Sequence, residues 1–387
     1  MTGTRVAFFG FDISESSQIK SIRSMIAAGY SVQSFTFRRD NMNAGFQPEW
    51  RDVCLGHQQN NALFKRVFSL PRAIFRLMRH RRELAQIDLI VARNLDMVLF
   101  GLVAQFIGNR RAKLIYQCLD IHSVFTNVGP KGAVARWLER ICLARVDKLV
   151  VSSPRFLSAY FGPVQGYSGS SHLLENKIWW PDAPAQRPDA RRSPGPLRLG
   201  WVGTLRCPQS LALLEAAATH FGDGLEVILR GVVHRHNLPG FDAVLRRCPN
   251  IHFEGPYAYP DGLCAAYQDL DLVWAQDLWQ KGANSDWLLP NRIYEAAYFG
   301  CPCIAIKGTE TGNRIAQDNL GFTVANTEAD SLIKFLAETP KHVIEAKSAA
   351  LLARSGTDFS LSPSDIHAML AGSAGPQQQG VGDVAHS

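Results

Sequence analysis

The chain has 387 residues, of which 46% are hydrophobic and 19% are charged. That composition is typical of folded globular proteins and excludes a mainly disordered chain, and the length is enough for two domains. The net charge of +7 is compatible with nucleic acid, a membrane surface or an anionic small molecule as a partner. The eight cysteines are scattered and none forms a C-x-x-C pair, which predicts a reducing, cytosolic compartment.

The first half of the chain alternates short apolar runs with segments of helical pattern. The predicted strands cover residues 5–9, 31–37, 88–92, 113–117 and 148–152. A helix is predicted over 14–28, with Ser14 as its N-cap. The first run is interrupted by Asp12 and does not resemble a signal peptide, and the apolar residues 97–108 are too few to span a bilayer. Strands that alternate with helices predict βαβ units and a parallel sheet.

A strongly basic segment covers residues 64–82. Seven cationic side chains lie between Lys65 and Arg82 without an acidic residue, and apolar residues that include Phe64, Phe68 and Phe75 are interleaved with them. A basic amphipathic helix of this kind suits an anionic membrane surface or a partner protein. It is equally compatible with a helix that packs its apolar face in the core and leaves its basic face in water. Nucleic acid is disfavoured as a partner, because no zinc finger, RNP-type motif or repeated basic array is present.

The second half repeats the alternation of strands and helices. Its predicted strands cover residues 197–202, 225–230, 251–253, 270–274, 302–306 and 321–324. Residues 181–196 have the Pro- and Ala-rich composition of a linker, and residues 372–387 that of a disordered tail. We therefore expect an N-terminal Rossmann-like domain over 1–180 and a C-terminal one over 197–371, facing each other across a cleft. The last helices could pack back on the first domain.

Several common catalytic motifs are absent from the sequence. No G-x-G-x-x-G follows the first strand, where only Gly10 is available, so a dinucleotide-dependent dehydrogenase is disfavoured. There is no P-loop, no G-x-S-x-G elbow and no H-E-x-x-H pair. The Asp-x-Asp element of Asp269 and Asp271 lies at a strand start, which is not a metal-binding context. We predict no cofactor and no obligatory metal ion.

The most informative stretch is SDWLLPNRIYEAAYFGCPCIAI, residues 285–306. Pro290 precedes a predicted short helix over 292–299, and Gly300 ends that helix. Glu295 is thereby placed on a helix at the mouth of a parallel sheet, where open α/β folds bind ligands. The stretch resembles the nucleotide-sugar signature of GT-B glycosyltransferases, especially family 4 and its relatives. The resemblance implies that Glu295 holds the ribose of the donor; the alternative is a glutamate that merely decorates a surface helix.

Further segments, from residue 5 to about 340, resemble the same family in order and spacing. LGWVGTLR, residues 199–206, resembles the first strand and glycine turn of its C-terminal domain, where Gly203 lets a diphosphate approach the backbone and Arg206 pairs with phosphate. The strand that ends at Gly231 resembles the next one, near the base pocket. The resemblance implies a donor-binding set of Gly203, Arg206, Gly231, Lys281, Asn291, Arg292, Glu295, Thr311 and Gly312.

The catalytic candidates are three. IYQCLDIH, residues 115–122, resembles an N-terminal stretch of the family, and its Asp120 is the best candidate for the base that an inverting transfer requires, with His122 in reserve. Asp120 could equally cap the next helix. Retaining members commonly carry a second glutamate eight positions before the ribose-binding one, where this chain has Trp287. Asp286, beside it, is a substitute candidate, and both stereochemical outcomes stay open.

The resemblance implies a glycosyltransferase that moves a sugar from a nucleotide donor, such as a UDP-sugar, to a lipid-linked oligosaccharide of bacterial exopolysaccharide or capsule synthesis. Such an enzyme would be cytoplasmic and peripheral at the inner face of the membrane, with residues 64–82 as its membrane contact. A UDP-sugar 2-epimerase shares the fold, but the basic apolar helix argues against it. A non-catalytic nucleotide-sugar-binding module is the other alternative, and the intact Glu295 motif and Asp120 argue against it.

Overall fold

The computed structural model describes residues 3–39, 46–57, 63–181, 183, 187 and 195–371, with the backbone alone for 63–70. The predicted tail, 372–387, and most of the predicted linker lie outside the described residues. No helix within the described ranges combines the length and the apolarity that crossing a bilayer requires.

The N-terminal half forms a sheet of seven parallel strands in the order β3-β2-β1-β4-β5-β6-β7. The strands are β1 (Arg5–Gly10), β2 (Ser31–Arg38), β3 (Arg51–His57), β4 (Leu89–Arg93), β5 (Lys113–Cys118), β6 (Lys148–Val151) and β7 (Ser171–Leu173). The helices are α1 (Ser16–Ala27), α2 (Leu63–Arg79), α3 (Arg81–Leu84), α4 (Asn94–Ile107), α5 (Ser123–Thr126), α6 (Pro130–Leu143) and α7 (Pro154–Phe156), the last continued by a π-helical turn, Leu157–Phe161. Helices cover both faces of this sheet, so its central strands are continuous apolar runs.

The C-terminal half forms a second parallel sheet of six strands in the order β10-β9-β8-β11-β12-β13. The strands are β8 (Leu197–Leu205), β9 (Leu225–Val233), β10 (Ile251–Phe253), β11 (Leu272–Trp274), β12 (Cys303–Ile306) and β13 (Gly321–Val324). The helices are α8 (Pro208–Phe221), α9 (Phe241–Arg247), α10 (Leu263–Tyr267), α11 (Asn284–Trp287), α12 (Arg292–Tyr298), α13 (Glu310–Gln317), α14 (Ala329–Glu338), α15 (Lys341–Ala353) and α16 (Pro363–Leu370). Two 3₁₀ turns occupy Gly222–Gly224 and Gly356–Phe359.

Two parallel sheets flanked by helices confirm the predicted α/β architecture of two Rossmann-like units. In both sheets the strand order reverses, between β1 and β4 in the first and between β8 and β11 in the second. The loops that leave the carboxyl ends of two such strands diverge, and the crevice between them is where open α/β sheets bind ligands. The fold therefore directs attention to the loops after these four strands.

Two strands and one helix cap differ from the sequence prediction. β3 and β7 were not predicted, because they are edge strands whose partly exposed residues make no continuous apolar run. The predicted cap Ser14 is wrong, since its hydroxyl donates instead to Asp12 Oδ1 at 2.8 Å. The carboxylate of Glu15 caps α1 by accepting from the backbone N–H of Ser17 and Gln18 at 3.2 and 3.0 Å.

The last helix returns to the N-terminal half. Met369 and Leu370 of α16 are buried in one apolar cluster with Val6 and Ile22. The ammonium of Lys148, on β6, donates to three main-chain carbonyls at the end of α16. Apolar burial and a cationic C-cap together hold the end of the described chain on the first sheet.

One residue of the predicted linker, Arg187, is bound by the C-terminal half. Its guanidinium donates to the carbonyls of Ala297 at 3.0 Å, Tyr298 at 2.7 Å, Leu351 at 3.3 Å, Leu352 at 3.4 Å and Arg354 at 2.6 Å. These carbonyls belong to the ends of α12 and α15, where the regular hydrogen bonds of a helix run out. Arg187 therefore satisfies two helix ends at once and ties the linker to them.

We expect Arg187→Ala to lower the free energy of unfolding by about 2–4 kcal/mol, because five carbonyls lose a charged donor. Chemical denaturation followed by circular dichroism measures the change. The control is Arg23→Ala, which removes an exposed pair with Glu49 and should cost about 1 kcal/mol or less. Equal effects of the two substitutions would show that the Arg187 bonds contribute no more than a surface ion pair.

Candidate functional site

Charged and polar groups from both halves gather where the carboxyl ends of the two sheets face each other. The N-terminal half contributes Lys20, Arg93 and Asp120, and the C-terminal half contributes Arg206, Asp277, Asn284, Arg292 and Glu295. A direct hydrogen bond crosses the cleft, from Asn284 Nδ2 to Asp120 Oδ1 at 3.1 Å. Lys20 and Glu295, also from opposite halves, interact through their charges. The sequence-predicted residues Asp120, Arg206, Arg292 and Glu295 thus share one cleft.

Glu295 is the buried carboxylate of this cleft. It lies in the first turn of α12, is 5% exposed, and its Oε2 accepts a hydrogen bond from the Tyr267 hydroxyl at 2.8 Å. Burial raises the pKa of the Glu295 carboxyl, while the Tyr267 bond and the charges of Lys20 and Arg292 act in the opposite direction. A buried carboxylate with cationic neighbours is suited to accept hydrogen bonds from the hydroxyl groups of a ligand.

Arg206 and Asp277 form an ion pair between the ends of β8 and β11. Their closest atoms, Arg206 Nη2 and Asp277 Oδ2, are 3.3 Å apart. Asp277 Oδ1 accepts from the Ser285 hydroxyl at 2.5 Å and from the Trp279 N–H at 2.9 Å. Burial acts to raise the pKa of Asp277, but Arg206, the Ser285 bond and Arg292 outweigh it, so the pKa is lowered. Asp277 therefore stays ionised and holds the guanidinium in the cleft.

Two glycines create a close backbone approach beside Arg292. Gly203 and Gly231 have φ angles of 113° and 132°, in the region that favours glycine. A Cβ on Gly231 would lie 1.9 Å from the Gly203 carbonyl oxygen, so no side chain fits between the two strands there. The Nη1 atom of Arg292 is buried and has no hydrogen-bond partner within the described part of the chain. A partly buried guanidinium with an unpartnered nitrogen, next to the half-buried backbone of Gly203, is suited to an anion such as phosphate.

Asp120 follows β5 and is an exposed residue. Desolvation by the surrounding protein raises the pKa of Asp120, and the Asn284 hydrogen bond and the charge of Arg206 offset part of that rise. The next helix, α5, is capped by His122, whose Nδ1 accepts from a backbone N–H of that helix at 3.2 Å. Asp120 therefore does not cap the helix, and its carboxylate faces the C-terminal half instead.

Thr311 and Gly312 serve the start of α13. The Thr311 hydroxyl is fully buried and donates to the Leu288 carbonyl at 2.9 Å, and the Gly312 N–H donates to the Thr309 hydroxyl at 3.0 Å. The N–H of Gly312 thus takes part in the N-cap of α13. The contact of both residues with the donor stays a prediction.

Asp286, Lys281 and Asn291 lie on the segment that leads into α12. The Asp286 carboxylate accepts from the Gly282 N–H at 3.0 Å, and Lys281 Nζ donates to the Thr327 hydroxyl at 2.8 Å. Asn291 occupies the position before the first residue of α12. Their catalytic and donor-binding roles stay predictions.

Four cleft residues were not predicted. Arg93 ends β4 and Asp277 lies three residues after β11, so a search for polar residues near strand ends at the switch points would have found them. Lys20 and Asn284 carry no such signal. Lys20 is a helical residue that is only 6% exposed, and Asn284 is placed by the approach of the other half of the chain.

No family model matches the sequence. The chain is 32% identical over 341 residues to the succinoglycan biosynthesis protein ExoL of Rhizobium meliloti (strain 1021). The aligned region covers 86% of this chain and 84% of ExoL. Its fold is similar to that of a sucrose-phosphate synthase from Thermosynechococcus elongatus, with a TM-score of 0.69 and 15% identity over 95% of both chains. It is also similar to Anabaena HepE in complex with UDP and glucose, with a TM-score of 0.64 and 17% identity over 94% of this chain and 97% of HepE.

The titration of Lys20 tests the electrostatics of the cleft. Burial lowers the pKa of the Lys20 ammonium to about 8, while Glu295 acts to raise it. We expect NMR of the Lys20 side-chain nitrogen to show a midpoint near 8, and Glu295→Gln to move that midpoint lower, because the stabilising negative charge is gone. A midpoint near 10.4, the usual value for lysine, would show that the amine is solvated.

Proposed function

Because this chain belongs to the family of GT-B glycosyltransferases that includes the succinoglycan biosynthesis protein ExoL, we propose that it transfers a sugar from a UDP-sugar to a lipid-linked oligosaccharide during the synthesis of a bacterial exopolysaccharide. The observation that carries the proposal is the buried carboxylate of Glu295. It accepts a hydrogen bond from Tyr267 and lies near two cations, Lys20 of the N-terminal half and Arg292 of the C-terminal half. The HepE structure, which holds UDP and glucose, supports a nucleotide-sugar donor in this fold.

The donor is held by groups of the C-terminal half. Glu295 accepts hydrogen bonds from the ribose hydroxyls, and the diphosphate lies against the Gly203 backbone, where Gly231 leaves room for the strands to pair closely. Arg206 and Arg292 meet the negative charge that develops on the leaving nucleoside diphosphate. Two guanidinium groups do here what a bound cation does in other transferases, so the proposed reaction needs no metal ion.

Asp120 is the proposed catalytic base. The acceptor hydroxyl attacks the anomeric carbon, the bond from that carbon to the diphosphate oxygen breaks, and the diphosphate leaves with the electron pair. The hydroxyl proton passes to Asp120, whose pKa is raised by desolvation, and a higher pKa makes a carboxylate a stronger proton acceptor. Trp287 at the position of the second glutamate of retaining relatives supports a transfer with inversion.

A panel of UDP- and GDP-sugars, offered with a lipid-diphosphate-linked saccharide and EDTA, tests the proposed reaction. We expect transfer from one UDP-sugar in the presence of EDTA, with NMR of the product showing the inverted anomer. Free conversion of UDP-GlcNAc without transfer would instead identify a 2-epimerase. Transfer that EDTA abolishes would contradict the role given to the two arginines.

Glu295→Gln keeps the shape of the side chain and removes its charge. We expect kcat/KM for the donor to fall by about two to three orders of magnitude, because the lost ribose bonds amount to about 3–4 kcal/mol in the transition state. The matched control is Glu338→Gln, an exposed residue of α14, which should leave the kinetics unchanged. Near-normal turnover of the Glu295 variant at low donor concentration would remove Glu295 from the donor site.

The proposed membrane contact is the outer face of α2 and its neighbours. Ala73 and Leu77 of α2 are buried, whereas Phe75 and Met78 are 58% and 51% exposed, so the helix presents apolar groups on both sides. The side chains of Phe64 and Phe68 lie outside the described residues. The guanidinium of Arg79 stacks over Phe75 at 4.8 Å. This combination of exposed aromatic and cation supports shallow insertion at an anionic surface.

The same layer of helices repeats this pattern. α4 packs between α2 and α6, and its exposed Phe106 lies under Arg110 at 4.6 Å. On α6, Val134 and Trp137 are 63% and 59% exposed. Exposed aromatic side chains on three adjacent helices, with a cation stacked on the ring at α2 and at the end of α4, provide a broad surface for a bilayer, from which the N-terminal half could reach a lipid-linked acceptor.

Liposome co-sedimentation tests the membrane contact. Each cation near an anionic surface contributes about 1 kcal/mol, so changing Arg72, Arg79 and Arg82 together to Gln should abolish most binding to vesicles that contain phosphatidylglycerol. Arg76 is left intact, because its Nη1 donates to the Leu55 carbonyl at 2.8 Å. The control changes Arg235, Arg246 and Lys334 to Gln on the C-terminal half. Binding that survives the first triple change, or that does not weaken as salt rises, would contradict this contact.

A further inference from the structure

The short helix α11 is the part of the C-terminal half that enters the N-terminal half. Trp287 packs against the apolar core of the first sheet, and Leu288, directly after α11, is buried within that core. The Trp287 carbonyl accepts a hydrogen bond from the Ser153 hydroxyl. The two halves of the chain are therefore in direct contact at α11, and the side chains of α11 lie beside the loops after β5 and β6.

Asn284, the first residue of α11, makes two hydrogen bonds at this junction. It is 2% exposed, its Oδ1 accepts from the Ile121 N–H at 2.8 Å, and its Nδ2 donates to Asp120 Oδ1 at 3.1 Å. A backbone N–H can only donate, so the amide oxygen must face Ile121 and the amide nitrogen must face the carboxylate. The orientation of the amide is thus fixed by its partners.

The neighbouring residue connects this junction to the ion pair that faces the donor. The Ser285 hydroxyl donates to Asp277 Oδ1 at 2.5 Å, and the other oxygen of Asp277 pairs with Arg206 at 3.3 Å. One strand end of the C-terminal half, one short helix and one strand end of the N-terminal half are therefore joined by consecutive contacts. Such a path links the position of Arg206 to that of Asp120.

We propose that Asn284 is a positioning residue that latches the two halves together and holds the Asp120 carboxylate at the reaction centre. The proposal deepens the proposed function, since it takes Asp120 as the base of the transfer. The latch, meaning the two hydrogen bonds of Asn284, forms only where the two halves meet. The Ile121 N–H and the Asp120 carboxylate lie in the N-terminal half, and the Asn284 amide lies in the C-terminal half. The Asp120 carboxylate is therefore held in this position only while the two halves of the chain are in contact at α11.

Replacement of Asn284 by Asp separates the two bonds. The new carboxylate can still accept from the Ile121 N–H but can no longer donate to Asp120, and two like charges would lie about 3 Å apart. As the pH falls, one of the two carboxyl groups gains a proton and can donate to the other, which restores the latch. The charged and titratable groups that also face Asp120 are Glu15, Arg93, Cys118, Arg206 and Asp277, and all of them are unchanged in this variant.

Hydrogen exchange at the Ile121 amide, measured by mass spectrometry, reports the latch without reference to activity. At neutral pH we expect Asn284→Asp to increase the exchange rate of this amide at least tenfold over the native protein, and the difference to disappear on acidification. The double variant Asp120→Asn with Asn284→Asp exchanges donor and acceptor, so protection should return at every pH while transfer stays absent. Asn326→Asp, which adds the same charge to an exposed loop, is the control and should show native exchange.

Kinetics provide the second measurement. Asn284→Ala should lower kcat by about ten- to a hundredfold with little change in the donor KM. It should also shift the acidic limb of the pH profile of kcat to higher pH, because the Asp120 carboxylate loses a hydrogen bond that favours its charged form. Native exchange at Ile121 in Asn284→Asp, or a double variant that stays unprotected, would overturn the latch. Normal transfer by Asp120→Asn alone would instead contradict the proposed base and leave the exchange result standing.

Discussion

The cleft depends on the burial of one carboxylate, that of Glu295, between two halves of the chain. An unpaired buried charge is strongly unfavourable, so the structure around it must supply compensation. It does so from three directions: Tyr267 donates a hydrogen bond, Arg292 lies one turn earlier on the same helix end, and Lys20 approaches from the N-terminal half. Because Lys20 is itself desolvated, the buried charge in each half of the chain is stabilised by the opposite charge in the other half.

The same principle explains the choice of side chains along the rest of the cleft. Asp277 is buried yet keeps its charge because Arg206 and Ser285 stabilise it, and that charge in turn fixes Arg206. Arg93 is 2% exposed, and burial lowers its pKa to about 10. It nevertheless keeps a hydroxyl and a carboxylate as partners, Ser17 at 2.6 Å and Glu15 at 3.4 Å. Cations held in this way provide fixed positive charge for an anionic ligand without reorganisation when the ligand arrives.

The proposed donor-binding groups and the proposed membrane-binding surface lie in different halves of the chain. The groups proposed to bind the donor lie on loops and helix starts of the C-terminal half, whereas the exposed aromatic and basic side chains lie on the outer helices of the N-terminal half. Asp120 stands between them, at a strand end that the C-terminal half reaches through α11. In the proposed transfer, a soluble donor and a membrane-held acceptor would approach from different sides and meet at Asp120.

The sequence by itself determined the two parallel sheets, because buried parallel strands must be continuous apolar runs that alternate with amphipathic helices. It also determined the place of Glu295, since a proline, a short helix and a glycine before a buried strand leave little freedom for that segment. The local rule failed at Ser14, because Glu15, one residue later, accepts from the first N–H groups of the helix with its longer side chain. It also failed at the edge strands β3 and β7, whose partly exposed residues carry no apolar run.

Only the tertiary structure decided which of the distant residues meet. Lys20 and Asn284 have no distinctive neighbours in the sequence, and their importance arises from contacts with residues 275 and 164 positions away. The hydrogen bond of the Gly312 N–H was decided in the same way, because it depends on the nearby position of the Thr309 hydroxyl. Sequence patterns record local periodicity and chain direction, whereas a cleft between two halves is a property of the distances between them.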